Sequence, residues 1–151
     1  MSLIPKLLAP ENILLDLEVG SKKRVFEQVG LLLENNRHIS RSTIYDSLFA
    51  REKLGSTGLG SGVAIPHGRI KGLKEAVGAF VRLKTPIPYE APDGKPVFLL
   101  FVLLVPEKAT DLHLQILGEL AGLFSDPALR ERIIHGTTPS ELHQLLTGNP
   151  A

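Results

Sequence analysis

The chain has 151 residues, 17 Lys+Arg against 16 Asp+Glu, no Cys and no Trp, with 43% of its residues hydrophobic. A length of this order fits one domain, residues 1–151, that buries roughly 68–70% of its unfolded surface without a disulfide or metal staple. The absence of Cys excludes zinc ribbons, CxxC redox pairs, thiolate nucleophiles and iron–sulfur centres, and a net charge of +1 gives little of the positive field a nucleic-acid binder needs.

At the N-terminus, Met1-Ser2-Leu3-Ile4-Pro5-Lys6 lacks the charged region, long apolar core and cleavage site of a secretory signal, so a cytoplasmic location is expected. Ile13, Leu15 and Leu17 alternate with Leu14 and Asp16 and predict a first strand. Ser21 can cap a helix that buries Val25, Val29, Leu32 and Leu33. Lys22, Lys23 and Arg24 in its first turn oppose the helix dipole. A second helix starts at Ser40, carries Ile44, Leu48 and Arg51 at helical spacing, and stops at Gly55. Arg51 on an apolar stripe must find an anion, snorkel past the core edge, or answer the dipole at the helix end.

Four glycines in eight residues, Gly55 to Gly62, lead into Val63-Ala64-Ile65-Pro66-His67-Gly68. This places His67 at the end of an apolar strand, with Gly68 carrying no side chain to cover the ring. Val77, Ala79, Val81 and Leu83 predict the next strand. A proline-rich stretch with Asp93-Gly94 separates it from Val97 to Val105, nine apolar residues in a row. That run is far short of the roughly 20 residues of a membrane helix and reads as a strand buried on both faces. Three helices follow. Thr110 or Asp111 caps the first, with Leu112, Ile116, Leu117, Leu120 and Phe124 inward. Asp126-Pro127 opens the second and Thr138-Pro139-Ser140-Glu141 the third, which ends at Gly148. The expected fold is α/β, a mixed β-sheet flanked by helices on both sides with the 97–105 strand near its centre.

The glycine-rich segment has no Gly-Lys-Ser/Thr ending and no third glycine at dinucleotide spacing. Gly60-Ser61-Gly62 is too short for a hydrolase elbow. His67, His113 and Asp111 are too few for a convincing zinc set, and no metal or other cofactor is expected. His38, His135 and His143 sit at helix ends or on polar faces. His113 is different, because it follows the buried strand in the first turn of a helix, where it can share a crevice with His67, Arg51 and the hydroxyls of Ser56 and Thr57. An anion-binding module would need Arg51, the loop backbone and the hydroxyls but has no use for an exposed imidazole. Phosphoryl transfer to His67 uses all of them, with the second ring nitrogen held by an acceptor.

Arg51-Glu52, the segment Gly55 to Gly68, Asp93-Gly94-Lys95-Pro96-Val97, Leu103-Leu104-Val105-Pro106-Glu107 and His113-Leu114 resemble the enzyme IIA domains of the fructose/mannitol class in the bacterial phosphoenolpyruvate-dependent phosphotransferase system. The likeness is greatest to the nitrogen-regulatory branch and extends over almost the whole chain. It implies a phosphocarrier with a transient phosphohistidine rather than a turnover enzyme. His67 would accept phosphate from an HPr-type carrier, and Arg51 and His113 would stabilise the phosphoryl group. Ser56, Thr57, Gly58 and Gly60 of the loop would support it. Downstream regulatory proteins, in nitrogen- or potassium-type regulation, are the implied targets, with neither nucleic-acid binding nor membrane insertion. Two alternatives stand beside it: a IIA component passing phosphate to a IIB domain for fructose or mannitol uptake, and a non-enzymatic module binding an anion or phosphoprotein. Mannitol-type members carry an acid six residues before the active His, where this chain has Ser61, which removes one argument for transfer to a sugar permease. Phe98 stands where many nitrogen-type relatives have Asp.

Overall fold

The computed structural model describes residues 3–109 and 111–148. In chain order the elements are α1 (Ile4–Leu7), a 3-10 turn (Pro10–Asn12), β1 (Ile13–Leu17), α2 (Lys22–Arg37) and α3 (Arg41–Glu52). Then come β2 (Gly58–Gly60), β3 (Val63–Ala64), β4 (His67–Ile70), β5 (Val77–Ile87), β6 (Val97–Pro106), α4 (Asp111–Phe124), α5 (Pro127–His135) and α6 (Pro139–Thr147). The sheet order is β1-β5-β6-β3-β2, with β4 also paired to β6. β5 runs antiparallel to β6, whereas β3 and β4 run parallel to it and β1 runs parallel to β5. The mixed sheet of the sequence reading is therefore present, and the long apolar run lies at its centre.

Why that run is uninterrupted follows from strand geometry. Successive side chains point to opposite faces, and here both faces are covered. Leu100, Val102 and Leu104 pack with Val25, Phe26, Val29 and Leu33 of α2 and Ile44 and Leu48 of α3. Leu99, Phe101, Leu103 and Val105 pack with Ile116, Leu120 and Phe124 of α4, Ile133 of α5 and Leu142 and Leu146 of α6. Each such side chain contributes roughly 1.5–3 kcal/mol on full burial, so a polar residue at any of these seven positions would be costly. Arg82 is the buried charge on the neighbouring β5. Its guanidinium donates to the Ile133 and Gly136 carbonyls at the end of α5 and pairs with Asp16, tying the C-terminal helices to the sheet.

The caps follow the expected chemistry in three helices. Ser21 Oγ accepts from the Arg24 N–H, Asp126 Oδ1 from Ala128, and Thr138 Oγ1 from Glu141. Gly148 closes α6 in the left-handed conformation, with φ 72°. Four details differ. Ser40 makes no cap bond; Glu34 of α2 takes the Arg41 N–H instead, at 2.9 Å. α3 ends at Glu52, not Gly55. Leu112 is exposed while His113 is buried, because the inward positions of α4 are His113, Ile116, Leu120 and Phe124. The apolar segment before His67 is not one continuous strand: β3 covers only Val63–Ala64, the chain breaks at Ile65-Pro66, and β4 starts at His67 itself. Pro66 has no N–H to give the ladder, and its carbonyl accepts from Leu103. His67 thus opens β4 rather than ending a strand. The helix α1 and the turn at Pro10–Asn12 had no clear periodic signal, and the possible cap Thr110 lies outside the described residues.

Candidate functional site

The break between β3 and β4 turns His67 into a cleft of about 350 Å³ lined by Arg51, Ser56, Thr57, Gly58, Leu59, Ile65 and Leu117, with Gly118 and Ala121 of α4 opposite. Nδ1 of His67 lies 2.9 Å from the Ile65 carbonyl oxygen. A carbonyl can only accept, so Nδ1 donates the ring proton and Nε2 keeps the lone pair. The His113 ring stands edge-on to it, with centroids 5.1 Å apart and planes at 74°. Nε2 of His113 is buried and has no hydrogen-bond partner among the described residues. Packing in the first turn of α4 thus delivers an imidazole with one uncommitted nitrogen beside His67.

Both imidazoles are held below their usual pKa. For His67, burial is the largest cause and the Arg51 and Arg69 charges add to it, against the Ile65 hydrogen bond and the Glu52 charge, which raise it. For His113, burial again leads, followed by His67, Arg69 and Arg51. At pH 7 a ring whose pKa lies below 6.5 is mainly neutral, the form in which a nitrogen can act as a nucleophile.

The structure brings together Arg51, Ser56, Thr57, Gly58, His67 and His113, though not every side chain faces the cleft as the sequence implied. Arg51 is half-buried, and its Nη1 donates to the Gly55 carbonyl at 2.8 Å. The apolar stripe of α3 continues from Ile44 and Leu48 to Glu52, which is the buried member of the pair. The Ser56 hydroxyl donates to the Tyr89 carbonyl and accepts from the Gly58 N–H. Thr57 Oγ1 donates to Glu52 at 2.6 Å. These hydroxyls therefore hold the loop rather than point free donors into the cleft. Gly60 faces Asp93, whose Oδ2 accepts the Ser61 N–H at 2.9 Å. Gly68 lacks a side chain for a different reason from the expected one: a Cβ there would run into Ser47 Oγ of α3.

His38 is exposed at the end of α2, His135 pairs with Glu131, and His143 donates to the Leu8 carbonyl. All three remain apart from the cleft. Sequence reasoning missed Glu52, Tyr89 and Arg69 as parts of the site. An acid at the i+4 position after Leu48, on the same stripe, is the signal that could have found Glu52. Arg69 follows His67 by one turn of the strand pleat and donates to the Glu107 and Ala109 carbonyls just before α4.

Against known proteins, residues 6–149 match the family described as "Phosphoenolpyruvate-dependent sugar phosphotransferase system, EIIA 2". The chain is 42% identical over 144 residues to the nitrogen regulatory protein of Pseudomonas aeruginosa, covering 95% of this chain and 94% of that protein. It is 40% identical over 128 residues to the nitrogen regulatory protein of Escherichia coli, covering 84% and 78%. The crystal structure of nitrogen regulatory protein IIA-Ntr from Neisseria meningitidis superposes with a TM-score of 0.91 at 55% identity, covering 97% of this chain and all of that one. The mannitol IIA structure from E. coli, at 23% identity and a TM-score of 0.76, shares the fold. Helices on both faces of a mixed sheet, a histidine at the break of a strand and similarity along nearly the whole length lead to one assignment: the chain belongs to the EIIA 2 family of the phosphotransferase system.

Proposed function

We propose that this chain is a regulatory phosphocarrier, in which Nε2 of His67 accepts a phosphoryl group from the phosphohistidine of an HPr-type carrier. The observation that carries the reading is the Nδ1 bond to Ile65, which leaves one ring nitrogen, and only one, with a lone pair. As the bond from phosphorus to Nε2 forms, the bond to the donor nitrogen breaks, and the donor ring keeps that electron pair. The His67 ring gains positive character, which the Ile65 carbonyl stabilises through the Nδ1 proton. Arg51 and His113 answer the charge spread over the equatorial oxygens. Ser56, Thr57 and Gly58 form the wall of the cleft, and Gly60 sets the turn behind it.

The rim suits a protein donor. Leu59, which lines the cleft, and Leu114, next in sequence to His113, are 45% and 68% exposed. Apolar side chains around a polar centre are the composition of a transient docking surface. Ser61 in place of an acid, and the nitrogen regulatory relatives, favour a signalling role in which free and phosphorylated forms bind different protein targets. Incubation with a phosphorylated HPr-type carrier should add the mass of one acid-labile phosphate to the wild type and none to His67→Ala. A phosphorylated His67→Ala overturns the site. An unphosphorylated wild type that still binds the phosphorylated carrier tightly would make the protein a binding module.

A further inference from the structure

Behind the cleft lies a carboxylate that the transfer reaction does not touch. Glu52 is 7% exposed, and its two oxygens accept from four groups: the Thr57 N–H at 3.0 Å, Thr57 Oγ1 at 2.6 Å, the Tyr89 hydroxyl at 3.3 Å and Lys22 Nζ at 3.0 Å. Lys22 also lies over the Tyr89 ring, 4.3 Å from its centroid. The basic first turn of α2, unfavourable for the helix dipole, thus supplies the counter-ion of a buried acid. A buried carboxylate with this many donors is held in one position.

The same contacts continue to the nucleophile. The Thr57 N–H donates to Glu52, and the Thr57 carbonyl accepts the Ile65 N–H at 3.0 Å. The Ile65 carbonyl then accepts His67 Nδ1 at 2.9 Å. Three successive hydrogen bonds, none longer than 3.0 Å, run from Glu52 to the histidine ring. On the other side, the neighbouring Arg51 holds the Gly55 carbonyl. Adjacent residues at the end of α3 therefore fix both ends of the segment Gly55 to Thr57.

We propose that Glu52 is a positioning residue for His67: by anchoring Thr57 it sets where the Ile65 carbonyl lies, and that carbonyl selects the ring tautomer and orientation. The proposal rests on the phosphocarrier reading for its kinetic consequence but not for its structural one. In Glu52→Gln one acceptor oxygen becomes an NH₂ that cannot accept from the Thr57 N–H or from Lys22. Nitrogen-15 NMR of the imidazole should then show the Nδ1-protonated form in the wild type and a tautomer mixture in the variant. Transfer from a phosphorylated HPr-type carrier should fall more than about tenfold in maximal rate, with the half-saturating carrier concentration unchanged. Thr57→Val, which withdraws only the hydroxyl, tests the same anchor if Glu52→Gln does not fold. It should lose rate and show the same tautomer mixture. A folded Glu52→Gln with wild-type tautomer and rate overturns the proposal, as does a lowered rate with an unchanged tautomer. Should the wild type take no phosphate, the phosphocarrier reading fails, and the tautomer comparison still decides the role of Glu52.

Discussion

His67 is prepared by two effects that differ in origin. The bond from Nδ1 to Ile65 fixes which nitrogen is free, and burial lowers the pKa so that this nitrogen is unprotonated near neutrality. The transfer rate should accordingly be level above the lowered pKa and fall as pH drops through it, as a single-turnover pH profile would show. The same shift acts on stability. An unfolded histidine takes up its proton near 6.5, earlier than the folded one does, so the folded state loses stability as pH falls from about 6.5 to the lowered value. His67→Ala removes that loss. Wild-type stability measured against that variant should therefore decline on acidification, read by urea unfolding at several pH values. On the proposed assignment, in which the Arg51 guanidinium meets charge that develops in the transition state, Arg51→Ala should slow transfer by more than about tenfold with the fold retained. Unchanged kinetics would leave Arg51 as a brace for the Gly55 carbonyl. His67 and the glycine-rich loop were legible in the sequence because they are contiguous. The function of Glu52 was not, since its partners Thr57, Lys22 and Tyr89 stand 5, 30 and 37 residues away.

At the level of elements, the site depends on how closely α3 approaches β4. Ser47 of α3 donates its hydroxyl to the Arg69 carbonyl at 2.8 Å, and Gly68 lies directly beneath, where a Cβ would also come within 3.1 Å of the Ser47 carbonyl carbon. Gly68→Ala should push α3 away from β4 and disturb Arg51 at the end of that helix. A cost of about 1–3 kcal/mol is expected from such overpacking, measured by urea denaturation, together with slower phosphoryl transfer. Gly62 makes a similar demand: its φ of 81° sits in the left-handed region, and a Cβ would meet the Phe98 ring. The residue that departs from many nitrogen-type relatives is thus accommodated by the glycine opposite it. The caps at Ser21, Asp126 and Thr138 were readable because each is decided within four residues, whereas that of α3 was not, because Glu34 of α2 takes the Arg41 N–H. The strand break at Pro66 was not, since a short apolar segment gives no periodic sign of leaving one ladder position and joining another.

For the whole molecule, phosphorylation changes the sign of the charge. From a net +1, one phosphoryl group of about −2 makes the protein anionic, so the phosphorylated form should move toward the anode in native electrophoresis while His67→Ala stays in place. Identical migration of wild type with and without the phosphorylated carrier would contradict this. A protein near neutrality is well suited to such a switch, because two charges are a large fraction of its total. By itself the sequence determined the layered α/β architecture, since an unbroken apolar strand between amphipathic helices must be covered on both faces. It also singled out His67 as the candidate, because the glycine-rich residues and Pro66 that precede it are adjacent in the chain. Only the tertiary structure decided which nitrogen of that histidine is free, which of Arg51 and Glu52 turns inward, and that the loop hydroxyls hold the loop itself. The first depends on the backbone path at Ile65-Pro66, which β3 and β4 fix by pairing with β6, and the others on Lys22 and Tyr89, which reach Glu52 and the loop only when α2, α3 and the loop containing Tyr89 pack together.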